Sequence, residues 1–204
     1  MYLELQRLEV GPWPMNCYLV RCLETGETAI VDPGADAETI LAAVGNARVC
    51  CILLTHGHAD HIGALEAVRT ATGVDVGIHP ADAADFDLKA DFALEHGMEV
   101  AVGRGHVTIT HVPGHTPGSV CLRLDGQVLV GDVIFPGGPG HTVSPEALTQ
   151  SLESLGQTVF TWSDGTELYP GHGDYTTVGS ERAAFERFLE SELATDLCGD
   201  VTWR

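Results

Sequence analysis

The chain has 204 residues, 44% of them apolar and 19% charged, which suits one globular domain with its own core and excludes disorder as the main state. Ten basic against 29 acidic side chains leave a formal charge of −19, and Lys89 is the single lysine. No basic stripe is available to nucleic-acid phosphates or anionic lipid, so binding to either is disfavoured.

The opening MYLELQRLEV alternates charged and apolar residues and lacks the basic-then-apolar order of a secretory signal, so it predicts a strand over residues 3–10. Strands over residues 16–22 and 28–31, a helix over 36–44 and a buried strand over 49–54 follow. After the polar loop THGHADH, a helix is expected over residues 62–72, stopped by Gly73, then a short strand near Val76 and a helical stretch near Ala81. Strand patterns recur over residues 107–111, 120–124 and 128–130, the last two joined by the hairpin signal Asp125-Gly126. Helices are expected over residues 145–155 and 181–192. Two blocks of strands, each followed by helices, predict paired sheets covered on their outer faces.

No apolar run approaches the roughly 18 residues of a membrane span, and six scattered cysteines without a CxxC pair give no disulfide framework or thiolate zinc site. The expectation is a cytoplasmic protein without a membrane segment. Cys50 and Cys51, adjacent in a strand, are expected on opposite faces.

The chemistry centres on His56-Gly57-His58-Ala59-Asp60-His61. Composition alone would place HxHxDH in such a chain about 0.0016 times. The string directly follows an apolar strand, and a loop at a strand's carboxyl end can present several side chains inward. Imidazole and carboxylate are the donors that zinc, iron and manganese accept. Three later segments repeat the arrangement: His115 in VPGHTPGS, Asp132 in VLVGDVIF and His172 in LYPGHGDYTT, each preceded by glycine. Seven candidate ligands exceed one tetrahedral ion but suit two ions bridged by a carboxylate.

The string THGHADHIG, with Asp32 in VDPG and the segments around His115, Asp132 and His172, resembles the metallo-β-lactamase superfamily and, within it, the glyoxalase II-like hydrolases. The resemblance implies a single-domain α/β fold, a four-layer αββα sandwich, with a dinuclear site at one edge of the sheets. By position, His56, His58 and His115 would hold one divalent ion and Asp60, His61 and His172 the other, with Asp132 bridging. Asp32 would orient an imidazole from outside the ligand set. Two dications would lower the pKa of a shared water and polarise the carbonyl it attacks, with Asp60 placed to orient that water or hold a proton.

His79, His96, His106 and His111 lack partners at ligand spacing and read as surface or hydrogen-bonded histidines. His141, in a glycine-rich loop after Asp132, and Tyr175, after His172, are candidate contacts for a small-molecule substrate; Tyr175 and Thr176 also read as capping the last helix or buttressing His172. Ser119 and Ser144 have no supporting base. Full-length glyoxalase II-type enzymes carry a C-terminal basic segment that helps bind glutathione, and the residues after His172 lack its equivalent. That absence weakens glutathione specificity without weakening metal-dependent hydrolysis. The resemblance to a short glyoxalase II-like member makes thioester hydrolysis the leading chemistry, on a substrate such as a hydroxyacylglutathione-like one. The alternatives are persulfide dioxygenation at one iron held by two histidines and an aspartate, lactone or ester hydrolysis, and a noncatalytic metal-binding interaction module.

Overall fold

The computed structural model describes residues 2–203. Strands β1 (Leu3–Val10), β2 (Met15–Cys22) and β3 (Thr28–Val31) form an antiparallel meander. Helix α1 (Ala37–Val44) crosses over to β4 (Val49–Leu53), parallel to β3. Helices α2 (Ala59–Ile62) and α3 (Leu65–Thr72) lead to the parallel β5 (Val76–Ile78), and α4 (Pro80–Asp85) leads to the edge strand β6 (Phe92–Ala93).

The second sheet starts with an antiparallel meander of β7 (Glu99–Val102), β8 (Gly105–His111), β9 (Val120–Arg123) and β10 (Gln127–Gly131). A small ribbon, β11 (Ile134–Phe135) with β12 (Gly138–Pro139), projects beyond β10. Helix α5 (Pro145–Gln157) returns the chain to β13 (Glu167–Pro170), parallel to β10, and β14 (Thr176–Thr177) closes the edge before α6 (Val178–Glu190).

Three apolar clusters fill the spaces between four layers. Tyr18, Val20, Val31, Leu53, Ile109 and Leu122 pack between the sheets. Leu19, Ile30, Ile40, Ile52 and Val68 join the first sheet to α1 and α3, and Val128, Val130, Leu155 and Phe185 join the second to α5 and α6. Strand β2 serves two spaces by its period of two: Tyr18, Val20 and Cys22 face the other sheet, while Met15, Cys17 and Leu19 face the helices. The architecture is the αββα sandwich. Among the described residues, no helix is long and apolar enough to cross a membrane.

Several boundaries differ from the sequence reading. The helix expected from residue 62 is two pieces, and the first begins at Ala59, so Asp60 and His61 ride on a helical turn rather than a loop. The last helix begins at Val178 because Thr177, not Tyr175 or Thr176, caps it through the Ser180 N–H. Cys50 and Cys51 bring their sulfurs within 3.8 Å instead of parting to opposite faces. The pairing Thr28↔Val49, Ala29↔Cys51 leaves Cys50 as the extra residue of a bulge, which breaks the alternation there. Both thiols are free, as are the other four.

Candidate metal centre

The site lies where strands of both sheets end. Asp32 follows β3, the segment from Thr55 to His61 follows β4, and His115, Asp132 and His172 follow β8, β10 and β13. All seven expected ligands converge. His56 Nε2, His58 Nδ1 and His115 Nε2 lie 2.9–3.3 Å from one another. Beside them, His172 Nε2 is 3.0 Å from Asp60 Oδ2, and Asp60, His61 and His172 form a second donor group. Asp132 stands between the groups, with Oδ1 3.3 Å from His61 Nε2 and Oδ2 3.9 and 3.8 Å from His115 and His172 Nε2.

In four of the five rings, His56, His61, His115 and His172, the outer nitrogen is anchored, which fixes the inward nitrogen of each. His61 Nδ1 donates to Asp32 Oδ2 (3.0 Å), His115 Nδ1 to the His141 carbonyl (2.8 Å) and His172 Nδ1 to the Pro14 carbonyl (2.8 Å). His56 Nδ1 lies 3.1 Å from Thr55 Oγ1, whose hydroxyl donates to Asp32. Asp32 also accepts from the Thr55 N–H, and it holds a left-handed backbone (φ 50°) that aspartate tolerates better than most residues.

Three observations fit divalent ions. Donor nitrogens of a tetrahedral zinc site bonded at 2.0–2.1 Å would stand about 3.3 Å apart, close to the spacing of the histidine trio. His61 Nε2 and Asp132 Oδ1 are buried facing each other at 3.3 Å without a well-formed hydrogen bond, a cost that coordination would remove. The donor set of imidazoles and carboxylates suits zinc, iron and manganese. Burial holds His56 well below the ordinary imidazole range and lowers His58 and His115 too, so all three stay neutral with lone pairs available. Burial acts the same way on His61, but the Asp132 and Asp32 carboxylates outweigh it and push its pKa up to about 10. Burial alone would raise Asp132; the neighbouring imidazoles, His61 first, hold it low instead.

Close backbone approach is required at one loop. A Cβ on Gly171 would stand 2.3 Å from Asp132 Oδ1 and 2.4 Å from His61 Cε1, so no larger residue fits before His172 without displacing both. That loop is held from the first sheet by Asn16 Nδ2, which donates to the Pro170 and Gly173 carbonyls, and by the Tyr18 hydroxyl on Pro170.

Sequence reasoning missed Asp82. Fully buried on α4, it accepts from the Gly57 N–H (2.9 Å), the Gly118 N–H (2.6 Å) and the Thr116 hydroxyl (2.8 Å), joining the loops that carry His56, His58 and His115. Of the candidate substrate contacts, His141 lines a cavity that also reaches His115 and Asp132, whereas Tyr175 belongs to the loop after His172. His141 is exposed and pairs with Asp200 at 3.0 Å, and Tyr175 is exposed and stacked on Tyr169. His79 stacks on His111 and accepts from the Ala81 N–H, His96 accepts from the His111 N–H, and His106 lies 3.5 Å from Glu99.

Comparison with known proteins agrees with this geometry. A hydroxyacylglutathione hydrolase of Anaeromyxobacter dehalogenans is 44% identical over 173 residues, covering 83% of this chain and 64% of that protein. The crystal structure of ETHE1 from Myxococcus xanthus superposes with a TM-score of 0.79 at 28% identity, covering 88% of this chain and 81% of that one. The structure of TTHA1623 in a di-iron-bound form does so at 0.71 and 32% identity, covering 87% and 96%. Residues 10–172, which hold every donor of the centre, match the family model of the metallo-beta-lactamase superfamily, and it is to this superfamily that the chain belongs.

Proposed function

We propose that the protein is a dinuclear metal-dependent hydrolase that cleaves a thioester of the hydroxyacylglutathione type. The observation that carries this reading is the second donor group: Asp60, His61 and His172 converge beside the complete histidine trio, with Asp132 between them. The likenesses to a hydroxyacylglutathione hydrolase and to a di-iron structure support it. When bound, divalent ions supply Lewis acidity for the acyl carbonyl and lower the pKa of water. The chain's own residues do the rest. Asp32, Thr55 and the carbonyls of Pro14 and His141 hold the imidazoles in register, and Asp60, half-exposed at the rim of its group, is placed to accept a proton from the attacking water. Water oxygen adds to the acyl carbon, the C–S bond breaks, and a carboxylate and a thiol leave.

The second reading, persulfide dioxygenation at one iron, needs two histidines and an aspartate, and the group His56, His61 and Asp132 contains that number. Elemental analysis combined with two assays separates the readings. Two metal ions per chain and thiol release from S-lactoylglutathione are the expected results; one iron with oxygen uptake on a persulfide and no thiol release would overturn the proposal.

A further inference from the structure

Cys50 and Cys51 stand near the start of β4, at the end of the strand opposite to the one that leads into His56. Neighbours in a regular strand point to opposite faces, but the bulge against β3 breaks that alternation, and the two sulfurs stand 3.8 Å apart. Cys51 is buried between the sheets, whereas Cys50 is only partly buried and lets solvent reach the pair. The Cys50 thiol donates to the Thr28 carbonyl at 3.5 Å. A hydrogen bond from the Cys51 thiol favours the Cys50 thiolate and holds its pKa below the ordinary thiol value, against the opposing effect of burial. The carboxylates of Glu27 and Asp75 add negative potential, the first at Cys50 and the second at Cys51.

The spacing is that of a chelate. Two sulfurs held on one tetrahedral ion, at the roughly 2.3 Å of a zinc–thiolate bond, stand about 3.8 Å apart. A disulfide fits less well. It needs sulfurs about 2.0 Å apart, and one trans peptide keeps neighbouring Cα atoms about 3.8 Å apart, inside the roughly 4.4 Å at which disulfides begin. We propose that Cys50 and Cys51 form a second metal site, a thiolate pair that takes a soft, thiophilic ion. On binding, each thiol gives its proton to solvent and each sulfur bonds to the ion. Thiolates select soft ions, whereas the imidazoles and carboxylates of the other centre suit zinc, iron and manganese, so the two sites differ in the metals they favour. The proposal stands apart from the thioesterase reading and needs no part of it.

The zinc-loaded protein, kept reduced by a phosphine, is titrated with cadmium chloride and followed by the thiolate-to-cadmium absorption in the ultraviolet. Imidazole and carboxylate donors give no such band, so cadmium entering the other centre is silent. The band is expected to saturate at one ion per chain. Cys50→Ser and Cys51→Ser should each weaken the binding it reports by at least about tenfold, and Cys198→Ser, at an exposed thiol, should leave it unchanged. Alkylation by iodoacetamide, read by mass spectrometry, supplies a check on the unmutated chain: cadmium should protect Cys50 and leave Cys198 reactive. The absence of a band, a band that either Cys50→Ser or Cys51→Ser leaves intact, or alkylation of Cys50 indifferent to cadmium would overturn the proposal.

Discussion

His61 and Asp32 are joined by a buried hydrogen bond of 3.0 Å from Nδ1 to Oδ2, which leaves His61 Nε2 as the nitrogen facing the centre. Asp32→Asn keeps the side-chain shape and the tolerance for left-handed backbone but weakens the grip on Nδ1–H. The expected result is a loss of metal affinity of about 10- to 100-fold at the Asp60, His61 and His172 group, with the histidine trio less affected. Titration with a chromophoric chelator measures both affinities, and an unaltered second affinity would remove the orienting role.

Metal uptake should release a proton. In the metal-free chain His61 titrates near 10, so at pH 7 to 8 it carries a proton that coordination through Nε2 must expel. The trio, held below the ordinary range, has none to give. Calorimetry in buffers of different ionisation enthalpy should report about one proton for the second ion and near zero for the first. The sign for stability follows from the same shift: a pKa raised above 6.5 on folding stabilises fully below that value, so the metal-free fold loses stability as pH climbs towards about 10. Stability that rose over that window would contradict the assignment.

Asp132 and His172 should differ in what their loss removes. Asp132 lies between both donor groups whereas His172 belongs to one. Asp132→Ala is expected to purify with little metal, and His172→Ala with about half the wild-type content. Full metal content in both variants would refute the ligand assignment.

Asp82 offers a prediction outside the ligand set. Its replacement by asparagine puts an amide N–H₂ against some of the three donors that now converge on a carboxylate. The expected cost is about 2 kcal/mol, or roughly 6 °C in Tm for a chain of this size, together with weaker binding at the trio. Thermal unfolding with and without added zinc checks both parts; an unchanged Tm would show that the carboxylate is not needed there.

Legibility in the sequence followed the range of the interactions. Four candidate ligands sit within His56 to His61, and the glycine-flanked strand ends around His115, Asp132 and His172 repeat one local pattern, so the convergence of these seven side chains was legible from local sequence. Asp82 could not, because its partners are 25 to 36 residues away and nothing local distinguishes it from a surface aspartate. The same holds for Asn16 and Tyr18, which support the His172 loop from more than 150 residues away. Strands β6, β11, β12 and β14 have only two residues each, too few for a period, and exist because neighbouring backbone pairs with them. The bulge at Cys50 was invisible for a related reason: register belongs to a pair of strands and not to either one.

The donors are divided between the two sheets, with His56, His58, Asp60 and His61 on one side and His115, Asp132 and His172 on the other. A divalent ion bound at either donor group would therefore staple the two sheets together at this edge of the sandwich. Resistance to unfolding becomes a function of free metal concentration, growing by about 1.4 kcal/mol per tenfold excess over Kd for each site, so a chelator would unzip the molecule from this edge first.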